Sequence, residues 1–158
     1  MATQHEHFDV IIVGGGVIGC SIAYRLAGYG RRVLLLEARR ELGDAASSRN
    51  GGITGAGSSL HAKYGRKVYD VTSANWALMQ TLSEELDADF EFVTSGTLDV
   101  ATAPEHLAHL ERTVTIQRAA GLDVHLLDRD AARELMPAFS EHILGAELAV
   151  ERGRLTPR

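Results

Sequence analysis

The feature that most constrains this chain is a glycine run set between two apolar segments close to its start. Phe8 to Val13 is a β-rich apolar run that stops abruptly at Gly14-Gly15-Gly16-Val17-Ile18-Gly19. A buried strand ending on glycines, with helical spacing resuming at once, predicts strand, tight turn and helix in succession. From Val17 to Tyr29, Ile18, Ile22 and Leu26 recur every fourth residue, beside a row of small residues, Gly19, Ala23 and Ala27. A small row lets a helix lie unusually close to a sheet, and Gly30 reads as a C-terminal stop. Arg32 to Glu37 is a second apolar strand that ends in an acid. Strand, helix and strand over about 30 residues make a βαβ unit with parallel strands and a right-handed crossover.

That context gives the G-x-G-x-x-G pattern a chemistry that a glycine-rich turn lacks by itself. Gly14 permits the tight turn, Gly16 lets backbone approach a pyrophosphate, and Gly19 permits close helix–strand contact. The unpaired N–H groups at the positive end of the helix suit an anion. Glu37, eighteen residues after Gly19, stands where a carboxylate accepts hydrogen bonds from adenosine ribose hydroxyls. Gly15, Val17 and Ile18 complete the turn, and Ala38 and Arg39 follow the acid. Arg39 and Arg40 are placed either beside the adenosine phosphates or ribose, or in solvent. The expectation is a site for the ADP half of a dinucleotide.

Periodicity disappears from Ala38 to Ser59, where Gly, Ser, Ala and Asn dominate, so this stretch reads as a long functional loop. A long helix is predicted from Arg66 to Leu86 with Val71, Ala74, Leu78, Leu82 and Leu86 on its inner face. Phe90–Val93 and Thr97–Val100 read as two strands of a hairpin turning at Ser95-Gly96. Pro104 opens another helix at its preferred first-turn position, with Leu107, Leu110 and Val114 inward and an end before Gly121. Val124–Leu127 is a short strand, Asp128–Met136 a short helix stopped by Pro137, and Leu144–Val150 a last strand. Thr156-Pro157 resembles an N-cap and first-turn proline; with no helix following, the chain is expected to be a fragment or one piece of a larger assembly.

Composition sets the outer limits. The 158 residues suffice for a hydrophobic core, and 45% apolar with 23% charged residues is ordinary for a globular protein. A net charge of −5 gives no electrostatic attraction to nucleic acid or anionic membrane. The apolar runs are strand-sized, so no integral membrane contact is expected, and the polar opening Met1 to His7 is no secretory signal. The single cysteine, Cys20, excludes an internal disulfide and fits a reducing, cytoplasmic compartment.

The stretch from Val10 through the glycines to Ala27, followed by Gly30, Val33 and Glu37, resembles the start of the D-amino acid oxidase superfamily of FAD-dependent oxidoreductases. Ala46-Ser47-Ser48-Arg49-Asn50-Gly51-Gly52 resembles that family's loop along the flavin. Gly96-Thr97-Leu98, Arg118-Ala119-Ala120-Gly121-Leu122 and Leu135-Met136-Pro137 resemble its first substrate-domain segment. Gly153-Arg154-Leu155-Thr156-Pro157 resembles the return towards the FAD domain. The resemblance implies an α/β fold, a Rossmann-type FAD-binding βαβ parallel sheet with the first segment of an antiparallel substrate domain. It implies a division into 1–88 for FAD, 89–150 for the substrate domain and 151–158 for the return.

Function by resemblance is oxidation of a C–N bond in a small amine or amino acid. The alternatives are a hydroxy acid or glycerol phosphate as substrate, a non-catalytic cofactor-carrying subunit, or a nicotinamide-binding domain. The resemblance also implies FAD contacts from Ser47, Ser48, Asn50, Gly51 and Gly52. Covalent flavin in this family is attached through His or Cys; neither occurs between Ala45 and Gly57, so FAD is expected to be non-covalent, with His61 the residue to watch. Residues that grip substrate are expected downstream or from a partner chain, so no catalytic residue is assigned and the fragment alone is expected to be inactive. Cys20 reads as a small core residue. His106 and His109 are three apart on a helix without a completing ligand, so no metal site is expected. His5 and His7 are expected in a mobile tail.

Overall fold

A computed structural model describes residues 6–157, without the side chains of Ser59 and Ala62; residues 1–5, His5 among them, lie outside the described residues, as does Arg158, and His7 is exposed. The elements in order are β1 (Val10–Val13), α1 (Val17–Gly28), β2 (Val33–Leu36), β3 (Ile53–Gly55), α2 (Ser58–Tyr64), α3 (Arg66–Met79) and α4 (Leu82–Leu86), then β4 (Thr97–Ala101), α5 (Pro104–Ala119), β5 (Val124–Asp128), α6 (Arg129–Leu135), β6 (Gly145–Ala149) and β7 (Arg152–Arg154). They group into two compact units, Met1–Gly51 with Pro157–Arg158, and Gly52–Thr156.

The first unit is the expected βαβ arrangement. β1 and β2 pair in parallel from Val10 opposite Val33 to Val13 opposite Leu36, and α1 is the crossover between them. α1 ends as the sequence predicts: Gly30 takes φ +69°, its N–H bonds Ala27 O, and the Arg31 N–H bonds Leu26 O. These two reversed bonds satisfy carbonyls that the helix end leaves open. Of the small row Gly19 is buried, Ala23 half-buried and Ala27 exposed, while Ile18 and Ile22 stay 75% and 47% exposed.

The second unit is built on a three-stranded antiparallel sheet in the order β4-β6-β5. Leu98 sits opposite Leu148, and His125 opposite the same residue on the other side. Residues two apart share a face, so Val124 and Ala149 lie on one side, where Val114 of α5, Leu122, Tyr69 and Trp76 join them in a core. Ala146, Leu98 and Leu127 lie on the other, packed with Ala132 of α6 and Ile143. Asp128 caps α6 by accepting from the Ala131 N–H at 2.9 Å, and Pro104 opens α5 as expected.

Three expectations are corrected. The helix predicted over Arg66–Leu86 breaks into α3 and α4: Thr81 Oγ1 donates to Leu78 O and the Gln80 amide to Trp76 O. Such side chains compete with the helical ladder. Its inner face is Tyr69 and Trp76, while Val71 and Leu78 are 70% and 54% exposed. Two large aromatics one heptad apart outweigh the aliphatic row, because each buries roughly 150–250 Å².

The predicted hairpin between Phe90 and Val100 does not form. Glu91 takes φ +55° with its N–H on Asp89 Oδ1, which breaks the first strand, and β4 pairs with β6 instead. Val93 makes only a bridge to Arg154. The loop predicted over 38–59 contains β3, paired antiparallel with β7, and the start of α2. Within the second unit Tyr69 and Trp76 share their core with Val114, Leu122 and Val124.

Candidate cofactor site

The glycine turn joins β1 to α1 in the geometry the motif requires. Gly14 takes φ +105°, a conformation that side chains resist, and its N–H extends the ladder to Leu36 O at 2.7 Å. At Gly19 the constraint is space: a Cβ there lies 1.9 Å from Gly14 O. Nothing but glycine allows α1 so close to the turn.

Helix geometry leaves the Val17, Ile18 and Gly19 N–H groups without intrahelical acceptors; the first helical bond runs from the Cys20 N–H to Gly16 O at 2.9 Å. Ser47 Oγ accepts the Val17 N–H at 3.0 Å. A Cβ at Gly16 would crowd that hydroxyl at 3.1 Å, so a serine of the loop sits over the positive end of α1.

Glu37 is drawn onto the same turn. Its Oε2 accepts the Gly15 N–H at 2.6 Å and its Oε1 accepts the Arg39 N–H at 2.8 Å. The Arg39 N–H, then the Gly15 N–H, hold the carboxyl below its ordinary 4.5 against a smaller opposing effect of burial. The carboxylate is therefore ionised at neutral pH. Each oxygen has two lone pairs, which leaves acceptor capacity for hydroxyl donors.

The loop after β2 closes over the turn. The Gly43 N–H bonds Gly15 O at 2.8 Å, and Cys20 Sγ donates to the same oxygen at 3.3 Å. Leu42 packs so tightly on Gly15 that a Cβ there lies 2.5 Å from its Cδ2. Leu42 and Gly43 are contacts that sequence reasoning missed; the only signal was their place just after the strand-ending acid.

Ser48 Oγ donates to Gly43 O at 2.8 Å, and the Asn50 amide donates to Ala46 O and Ser47 O, both at 2.9 Å. An Asp44–Arg49 ion pair at 2.5 Å adds to the loop's internal ties. An open cleft of about 520 Å³ brings together Gly14, Gly16, the first turn of α1, Ser47 and Asn50. Glu37, Ala38, Arg39, Ser48, Gly51 and Gly52 are not among its lining residues. Ala38, Arg39 and Gly51 are exposed, and Gly52 is buried; its carbonyl accepts the Leu155 N–H at 2.9 Å.

The histidines lie elsewhere. His61 stacks edge-on against Tyr69 at 5.7 Å, and His106 and His109 are exposed on α5. Among the described residues no three His, Cys, Asp or Glu side chains converge as metal ligands. No helix of the described residues is long and apolar enough to cross a membrane.

A parallel βαβ unit with open amides at a helix N-terminus, a hydroxyl over them and an ionised acid at the end of the second strand defines a dinucleotide-binding protein. Residues 9–158 match the family model described as FAD dependent oxidoreductase, DAO, and the chain belongs to that family. It is 33% identical over 149 residues to a glycine oxidase of Geobacillus kaustophilus, covering 92% of this chain and 39% of that protein. It is 30% identical over 151 residues to a glycerol 3-phosphate dehydrogenase of Caloramator mitchellensis, covering 95% of this chain and 31% of that protein. The crystal structure of the Geobacillus kaustophilus glycine oxidase superposes with a TM-score of 0.87 at 32% identity, over 95% of this chain and 41% of that one. The chain thus spans about two fifths or less of the relatives' length. The expected family, the FAD cofactor and the α/β fold are borne out.

Proposed function

We propose that this chain supplies the ADP-binding half of a flavin site in an enzyme that oxidises a C–N bond of a small amine or amino acid. The observation that supports it best is the convergence of Glu37 and Ser47 on one glycine turn. The residues fit the cofactor's polar half: open amides for a pyrophosphate, an ionised carboxylate for ribose hydroxyls, and glycines where backbone must approach. Gly14, Gly15, Gly16, Val17, Ile18, Gly19 and Ser47 are assigned to the pyrophosphate. Glu37, with Ala38 and Arg39, is assigned to the ribose, and Ser48, Asn50, Gly51 and Gly52 to the flavin side. By role, 1–88 serve the cofactor, 89–150 begin the substrate side and 151–158 lead back.

FAD supplies a hydride acceptor when bound; this chain's residues anchor it and set its orientation. The residues that grip substrate come from outside this chain, and a reducing cytoplasm suits its one cysteine. C–N oxidation is favoured by the likeness to glycine oxidase. The likeness to glycerol 3-phosphate dehydrogenase supports a second reading, oxidation of a C–O bond in a phosphorylated alcohol.

The test is anaerobic reduction of the flavin in the full-length protein. Bleaching by glycine, sarcosine or a D-amino acid supports the first reading, and bleaching by glycerol 3-phosphate alone supports the second. Purified protein that neither carries nor takes up FAD refutes both.

A further inference from the structure

The most unusual group outside the cofactor site is a carboxyl inside the second unit. Glu147 lies mid-way along β6, the central strand, and is only 3% exposed. Register places Asp99 of β4 directly opposite it on one side and Leu126 of β5 on the other. α5 covers this face and contributes Gln117, which is fully buried. Glu147 Oε1 and both amide heteroatoms of Gln117 are buried without a hydrogen-bond partner among the described residues. A buried acid facing another acid across the ladder, with unpaired atoms beside it, is a poor place for a negative charge.

We propose that Glu147 is a proton-operated latch between α5 and the β4-β6-β5 sheet, fastening them when protonated and loosening them when ionised. A protonated Glu147 has an O–H to donate, and Gln117 Oε1 is an acceptor without a partner. Ionisation removes that donor, leaves Glu147 only to accept from the Gln117 N–H, an effect weaker than burial and Asp99, and sets a second carboxylate against Asp99.

The neighbouring groups do not reverse this balance. Burial is the largest influence on Glu147 and raises its affinity for the proton; Asp99 acts in the same direction. Arg152 of β7, the Gln117 amide and His109 of α5 act the other way and are weaker. Arg152 is divided between partners, 3.8 Å from Asp99 Oδ2 and 3.5 Å from Ser58 Oγ. Asp128 of β5, on the same face by register, is committed to capping α6.

The sign follows from linkage. A folded-state carboxyl that holds its proton above the ordinary 4.5 contributes stability that is complete below that value. The contribution is lost as pH rises through the folded value. In the full-length protein, opening constants for α5 and β6 amides, from hydrogen exchange corrected for intrinsic rates, should rise up to about tenfold per pH unit in that window and then level off. Glu147→Gln, which keeps the shape without the charge, should abolish the rise. Parallel pH profiles in the wild type and Glu147→Gln overturn the proposal. If Glu147→Gln does not fold, Asp99→Asn decides: removing the opposing charge should bring the levelling-off to lower pH, and an unchanged profile overturns the latch.

Discussion

Replacing Gly19 by alanine puts the packing of α1 on the glycine turn to a direct test. The added Cβ lies 1.9 Å from Gly14 O and 3.1 Å from Gly14 C, while Ile12 Cγ2 at 3.4 Å is in ordinary contact. The first two are backbone atoms, which cannot rotate aside as a side-chain tip does. Relief requires α1 and the turn to part by about 1.5 Å, and overpacking of this kind costs about 1–3 kcal/mol of stability. The same shift carries the open amides of the first turn out of hydrogen-bond range of a bound pyrophosphate. Each such charged bond is worth about 1.5–3 kcal/mol, so FAD should bind roughly ten- to a hundredfold more weakly.

Gly28→Ala is the matched control. It lies in the same helix, has nothing within 4 Å of its Cβ position and has an ordinary φ, so alanine there should stabilise by about 0.4–1 kcal/mol. FAD titration by flavin fluorescence and urea unfolding of the full-length apoprotein read the two effects. A Gly19→Ala protein equal to wild type in both measurements, or a Gly28→Ala protein equally damaged, refutes the packing argument.

Glu37 adds a dependence on the acid side. Its carboxyl is depressed by the Arg39 and Gly15 N–H groups, so the stability it confers is present above the ordinary 4.5 and lost as pH falls through the folded value. Melting curves between about pH 5 and pH 3 should show this loss in wild type and not in Glu37→Gln. Ser47→Ala leaves the Val17 N–H without its partner and should cost about 1 kcal/mol in urea unfolding of the apoprotein; no change would show that the hydroxyl contributes nothing there. Flavin in the full-length protein should separate from it on acid precipitation, as expected from the lack of His and Cys between Ala45 and Gly57. Colour remaining in the pellet would show a covalent bond.

What the sequence reveals here depends on how far apart the interacting residues are. The turn from Val13 to Val17, the stop at Gly30 and the start of α5 at Pro104 are set within a few residues, and each is legible from residue type alone. Glu37 is legible at longer range because the length of a βαβ unit fixes where the second strand ends relative to the first. Beyond that span the reasoning weakens for a physical reason. Val71, Leu78 and Leu86 satisfy helical spacing as well as Tyr69 and Trp76 do, and only the position of Val114, Leu122 and Val124 decides which row is buried. The pairing of β4 with β6 rather than with Phe90–Val93 depends on the backbone of Glu91 and on a partner strand dozens of residues away.

Glu147 is the sharpest case. In Gly145-Ala146-Glu147-Leu148-Ala149, alternation around an acid predicts that Glu147 faces water. Its burial becomes visible only when α5 is laid across that face. Its neighbours along that face are Gly145 and Ala149, and a Cβ at Gly145 lies 2.6 Å from Leu127 O and 3.2 Å from Leu107 Cδ1 of α5. Small residues that admit a helix close to the sheet also close water out around the one acid between them. The tight packing and the misplaced charge thus have a single cause, which no local pattern around Glu147 contains.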